Sequence, residues 1–187
     1  MMEYAPLIPL ETRHLRLRKM KAEDASLYFA RLGGSEAVVR GMLFQPHKDI
    51  SESVASVEKN LRRYEAGRHY HWVITLKESD ELIGVISLLG FEENRSRCSF
   101  AYMLGEDFWG KGYGTEAVKE ALNFAFGKLG IEVVEADHFA HNPASGAVMR
   151  KAGMICTGVI NGKYEKNGQL IDAPQYVITK EMWMKKD

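Results

Sequence analysis

Residues 105–115 read GEDFWGKGYGT, with glycines at 110, 112 and 114 and a long helical pattern directly behind them. Glycine lets the main chain turn sharply and lets a ligand approach it closely. The unpaired amides that open a helix, backed by its dipole, attract an anion. A phosphate or pyrophosphate is the natural guest, since a bare strand-to-helix turn has no need of three alternating glycines. A second constellation lies downstream. Asn142-Pro143-Ala144-Ser145 opens a short helix, and Lys151-Ala152-Gly153-Met154 follows it. Asn142 is a good helix N-cap, which makes Ser145 a first-turn hydroxyl.

Two nucleotide signatures come close to the glycine loop and fail. Gly105, Gly110 and Lys111 fit GxxxxGK[ST], but Gly112 stands where a Mg²⁺-binding hydroxyl belongs. Gly110 and Gly112 open a GxGxxG fingerprint, but Thr115 takes the place of its third glycine, and no early β-α-β unit surrounds it. The pairs His69/His71 and His138/His141 have no cysteine or carboxylate at ligand spacing, so no metal is expected.

These residues need a scaffold. A chain of 187 residues suits one domain, taken here as residues 1–187. Lys+Arg and Asp+Glu are equal at 25 each, so no global positive field exists to hold a nucleic acid. No apolar stretch is long enough for a membrane span, no signal peptide is evident, and the two cysteines, Cys98 and Cys156, form no motif. A cytoplasmic protein with reduced thiols is expected.

Alternation predicts a strand over His14 to Lys19, and helical spacing predicts helices over Lys21 to Leu32 and from Ser51. Gly33 to His47 reads as an irregular loop. Strands are predicted over His69 to Lys77, Glu81 to Phe91 and Arg97 to Leu104, the first two forming a hairpin about Glu78-Ser79-Asp80. Gly114 to Leu129 is the clearest helix, with Val118, Ala121, Leu122, Ala125 and Leu129 on one face. A strand over Ile131 to Phe139 and a helix over Pro143 to Lys151 follow. Two last strands, Met154 to Asn161 and Pro174 to Trp183, flank an Asn167-Gly168 turn. The order is neither a Rossmann alternation nor all-β, and reads as α+β, a mixed sheet with helices packed on it.

WGKGYGTEA and the Asn-x-x-Ser segment together resemble the GCN5-related N-acetyltransferase (GNAT) superfamily, in particular its ribosomal-protein N-terminal acetyltransferase branch. Ile83-Gly84, Asn167-Gly168, Asp172, Tyr176 and Glu181 to Trp183 extend the likeness over about Thr12 to Trp183. The resemblance implies a mostly antiparallel sheet with one parallel strand pair that splays, Arg97–Leu104 and Ile131–Phe139, and acetyl-CoA held between them. Its pantetheine arm would add to the backbone near Met103 and Leu104 like another strand. Its pyrophosphate would rest on the loop of Trp109, Gly110, Lys111, Gly112, Tyr113, Gly114 and Thr115, with Trp109 where the family often has Gln or Arg. Asn142 and Lys151 complete the implied cofactor set.

The implied reaction is direct attack of a primary amine, of a protein N-terminus or a small molecule, on the thioester. Met149 falls where other branches have a proton-donating Tyr. Ser145 is therefore the acid implied here, with Asn142 orienting it or the cofactor. Ser99 falls where this branch often has a basic Glu, which leaves Glu92, Glu93 and His138 as candidates. The acceptor would sit between Gly33 to Ser51 and the Asn161–Pro174 hairpin; Tyr102, Trp72 and Phe44 are candidates for the lining of an acceptor pocket or, for most of them, for the core. A homodimer is compatible with this reading, and a non-catalytic acyl-CoA-binding or regulatory module is the alternative to an enzyme.

Overall fold

The computed structural model describes residues 5–66, 69–92 and 96–185. Its single sheet comprises β1 (Leu10–Glu11), β2 (Leu15–Arg18), β3 (Tyr70–Leu76), β4 (Leu82–Leu89), β5 (Arg97–Leu104), β6 (Val133–Asp137), β7 (Ile155–Lys166) and β8 (Gln169–Thr179), in spatial order β1-β2-β3-β4-β5-β6-β8-β7. Every neighbouring pair is antiparallel except β5–β6, which is parallel. The helices are α1 (Ala25–Tyr28), α2 (Glu36–Val39), α3 (Ile50–Glu65), α4 (Tyr113–Gly127), α5 (Pro143–Lys151) and α6 (Lys180–Met184). A 3-10 turn precedes α1 and a π turn follows it, so residues 22–33 are helical throughout. The expected mixed α+β sheet is what forms.

Strand alternation divides the apolar residues between two layers. Tyr70, Trp72 and Ile74 of β3 join Val118, Ala121, Leu122 and Ala125 of α4 under one face. Val73, Leu82, Val85 and Met103 join Tyr28, Leu32 and Val57 under the other. β4 lies between both layers, which is why LIGVISLL is almost wholly apolar and almost wholly buried.

Four boundaries differ from the sequence expectation, each for a local reason. A short helix, α2, interrupts the 33–47 segment because Ser35 Oγ accepts from the Val38 amide at 3.3 Å. β7 runs on to Lys166 through register shifts at Cys156/Gly158 and Ile160/Tyr164, which break the alternation that would mark it as one strand. The final segment turns from strand to helix at Thr179, whose hydroxyl accepts from the Met182 amide at 3.2 Å, so Trp183 packs from a helix onto Phe126. β1 is two residues long and pairs with β2, too short to leave a pattern.

Candidate active site

The parallel pair is joined only at its start. Arg97, Cys98 and Ser99 pair with Val133, Val134 and Glu135, and the ladder stops there. Beyond Ser99, β5 keeps β4 on one side, from Phe100↔Leu88 to Leu104↔Gly84, and has no described strand on the other. The Gly105 amide donates to Ile83 O at 2.8 Å. In an antiparallel ladder the residues that bond across alternate. Gly105, Met103 and Ala101 therefore turn their amides and carbonyls toward β4, and Leu104 and Tyr102 turn theirs into the gap. The family likeness placed this edge at Met103 and Leu104; the register places it at Tyr102 and Leu104, while Met103 lines the cleft by its side chain. The Leu104 carbonyl is closed by the indole of Trp109, which donates to it at 2.8 Å.

At the end of this edge the chain enters the glycine loop. Gly110 and Gly112 have φ of +72° and +87°, a left-handed backbone that suits glycine, and a Cβ at either would meet nothing within 4 Å. Gly112 caps α4, and the first bond of the helix is Glu116 N to Gly112 O at 3.0 Å. The amides of Tyr113, Gly114 and Thr115 thus have no intrahelical acceptor. Glu116 anchors this helix start to β2: it accepts from Thr12 Oγ1 at 2.5 Å and from the His14 amide at 2.8 Å. Burial pulls the Glu116 carboxyl upward, but these bonds and the His14 ring win and hold it below its ordinary range.

The gap opens into a cleft of about 850 Å³. Of the sequence candidates, Met103, Leu104, Trp109, Gly110, Gly112, Gly114, Thr115, His138, Asn142, Ser145 and Lys151 line it. Lys111 and Tyr113 do not: Lys111 lies over the Phe108 ring, 5.6 Å from its centroid, and Tyr113 meets His14 edge-on. Glu93 lies outside the described residues. Glu92 is held by Ser96 at 2.7 Å and by Arg97 at 3.9 Å, off the cleft. Trp72 is core, and Phe44 packs against the second layer.

Within the cleft, Asn142 caps α5, its side-chain oxygen accepting from the Ser145 amide at 3.4 Å. That leaves the Ser145 hydroxyl for Tyr102. Burial raises the Tyr102 phenol above its ordinary value, and the hydrogen bond with Ser145 opposes that shift. Sequence reasoning did not pair these two, because they are 43 positions apart and meet only where β5 and α5 converge. His138 is buried; its Nδ1 lies 2.8 Å from the Phe139 carbonyl, and its Nε2 is packed against Gly146 of α5, where a Cβ would approach to 2.5 Å. The ring therefore faces the α4/α5 layer.

The other end of the cleft is roofed by two segments far apart in sequence, α2 with residues 40–43 and the β7–β8 hairpin. Lys166 ties them together, donating to Val39 O at 2.8 Å and Met42 O at 2.6 Å, and Gln45 bonds Asn167 at 2.6 Å. Asp137, the last residue of β6, lines this end with Tyr164. The Tyr164 hydroxyl is 2.9 Å from both Asp137 oxygens, and Lys163 Nζ is 2.5 Å from Oδ2. Burial, with the neighbouring carboxylate, pushes the Tyr164 phenol up to about 12, so it remains a donor. Among the described residues no group of three or more His, Cys, Asp or Glu could hold a metal, and no helix is long and apolar enough to cross a membrane.

Residues 14–155 match the family profile of the acetyltransferase (GNAT) domain. An uncharacterized N-acetyltransferase of Bacillus subtilis strain 168, YoaA, is 27% identical over 171 residues, 91% of this chain and 96% of its own. Among solved structures, a ribosomal L7/L12 α-N-protein acetyltransferase in complex with coenzyme A superposes with a TM-score of 0.81 at 19% identity, covering 92% of this chain and 98% of that one. A spermidine N-acetyltransferase from Vibrio cholerae, in complex with CoA and spermine, gives a TM-score of 0.79 at 17% identity over 92% and 99%. The profile match runs through both parted strands and the glycine loop between them, and on that ground the chain belongs to the GNAT acetyltransferases, enzymes that use acetyl-CoA.

Proposed function

We propose that this protein moves the acetyl group of acetyl-CoA to a primary amine by direct attack, the acceptor being a protein N-terminus or a small amine. The observation that carries the reading is the continuity of two backbone features: the unpaired edge of β5 at Tyr102 and Leu104 runs straight into the open amides of Gly112 to Thr115. An extended amide-bearing arm fits the first, as an added strand would. A pyrophosphate fits the second, where a Cβ at Gly110 or Gly112 would fill the space an anion needs. Lys151 adds positive charge along the same wall.

Bound acetyl-CoA supplies an activated acyl group on a thiol leaving group. The chain's own residues do the rest. The amides of Tyr102 and Leu104 that face the gap are the donors available to negative charge on the reacting oxygen. Ser145 gives the departing thiolate its proton, with the Tyr102 phenol beside it in the cleft. Holding amine and thioester in one cleft supplies much of the acceleration by itself. A non-catalytic acyl-CoA-binding module would have no use for a hydroxyl pair at this place.

Calorimetric titration with acetyl-CoA, with ATP·Mg²⁺ as control, is the first test, followed by thiol release in the presence of amines. Tight acetyl-CoA binding without ATP binding, and amine-dependent thiol release, are expected. Absence of acetyl-CoA binding would remove the phosphate-loop assignment and the reaction with it.

A further inference from the structure

The reaction needs a group that receives the acceptor's ammonium, and among the described residues none of the sequence candidates stands in the right place. Ser99 has no carboxylate, His138 faces α5, and Glu92 is bound outside the cleft. Asp137 is different on three counts. It lies two residues past the last paired position of β6, Glu135, where the strands have parted. Side chains alternate along a strand. Asp137 therefore projects to the face opposite Ala136 and His138, the face roofed by α2 and the hairpin. Finally, the carboxylates lining the cleft among the described residues are Asp137 and Glu106, and Glu106 lies in the turn before the glycine loop, at the far end.

Taking the acetyl-transfer reading as its basis, we propose that Asp137 is a catalytic residue that binds the acceptor's ammonium and takes a proton from it, with Tyr164 and Lys163 as positioning residues. The carboxylate that the family likeness leads one to seek on the first parted strand, at Ser99, is supplied here from the second. The Tyr164 hydroxyl reaches both carboxylate oxygens and fixes the plane of the group, and Lys163 Nζ holds Oδ2 from the side at 2.5 Å. An ammonium entering beneath α2 meets an anion held in one orientation, with one-fifth of its side chain still open.

The proton balance is simple. One N–H bond of the ammonium breaks and an O–H bond forms on Asp137. The freed nitrogen lone pair then attacks the acetyl carbonyl carbon, and the C–S bond breaks with its electron pair going to sulfur. The nitrogen loses a second proton to water, the thiolate gains one, and Asp137 returns its own to water. One proton is released per acetyl group moved.

The test compares Asp137→Asn, which keeps the shape and can still accept from Tyr164, with Tyr164→Phe, which keeps the carboxylate. The probes are a hexapeptide with an unblocked N-terminal serine and spermidine, read by thiol release; acetyl-CoA affinity is read by calorimetry and folding by thermal melting. The expected result for Asp137→Asn is a kcat/KM lowered about 100-fold or more, the scale of a lost proton acceptor, with acetyl-CoA affinity within about twofold of wild type. Tyr164→Phe should lose less than about tenfold. Asp137→Asn activity within about threefold of wild type overturns the assignment. So does a Tyr164→Phe loss as large as that of Asp137→Asn with matching losses in melting temperature, because the carboxylate would then only be holding the hairpin. A wild type that binds acetyl-CoA but acetylates neither probe also counts against Asp137, whereas a wild type that fails to bind acetyl-CoA defeats the acetyl-transfer reading beneath it.

Discussion

The two ends of the cleft are made of different material. The glycine-loop end is main chain: the unpaired edge of β5, two left-handed glycines and the first amides of α4. The roofed end is side chains drawn from α2, β6 and the β7–β8 hairpin and joined by Lys166, Gln45, Lys163, Tyr164 and Asp137. A site built of backbone needs glycines at fixed spacing and tolerates change elsewhere. A site built of side chains can be remade by a few substitutions, which suits the acceptor-choosing role proposed for this end.

The sharpest way to break this contrast is at Gly112. Gly112→Trp puts a side chain where φ is +87° and where nothing else lies within 4 Å. The fold should survive with a backbone cost of about 1–3 kcal/mol, while acetyl-CoA affinity falls about 100-fold or more by calorimetry. Retained affinity would mean the loop does not hold the phosphates. The next effect in size is at Ser145, between the two ends. Ser145→Ala should lower kcat about 100-fold with acetyl-CoA affinity unchanged. A kcat that stays at the wild-type value across the pH range would take the acid role from Ser145.

A smaller effect is expected at the roof. Lys166 is held by two carbonyls, and burial lowers its ammonium below its ordinary value. Lys166→Met should free the hairpin from α2 and raise KM for the acceptor several-fold, since hydrogen bonds from a charged group contribute about 1.5–3 kcal/mol and this one is partly exposed. Acetyl-CoA affinity should not move. If acetyl-CoA affinity fell and acceptor KM held, the two ends would not be separable.

The same contrast explains what could be read beforehand. Glycine spacing, helix caps and strand alternation are local, so α4, α5 and β5 were anticipated from residues near one another in the chain, while the parting of the parallel pair was anticipated only through the family resemblance. The bounds of β7, with its two register shifts, were not, because each bulge reverses the alternation that identifies a strand. Nor were the contacts that matter most at the roofed end. Asp137 and Tyr164 are 27 positions apart, and Lys166 and Val39 are 127 apart. Their meeting depends on β8 lying between β6 and β7, a feature of the sheet order that no single segment carries. A carboxylate next to His138 at the end of the second parted strand was the one available signal.

The contrast extends to the layers beneath each end. Val118, Ala121, Leu122 and Ala125 turn an apolar face of α4 to the sheet, whereas His71 of β3 and His69, just before that strand, lie toward α3 on the roofed side. The two rings stack 5.4 Å apart, His69 bonds Asn60 at 2.8 Å, and His71 bonds Ser87 at 2.6 Å, while His71 Nε2 is buried without a partner. Burial, then His69 and Arg63, hold His71 down at about 3, and burial, then Arg63, hold His69 at about 4, against 6.5 for a free ring. Below 6.5 the unfolded chain binds protons that the folded chain refuses, so folding stability is full above that pH and falls as pH drops toward 4. Each ring contributes a slope of up to about 1.4 kcal/mol per pH unit. Urea unfolding at pH 7, 6 and 5 should follow that slope, and His71→Gln, which still offers Ser87 a partner but takes no proton, should flatten it. A wild-type stability that is level from pH 7 to 5 would remove the histidine pair from the account. A slope unchanged in His71→Gln would assign it to other groups and leave the two layers alike in their response to acid.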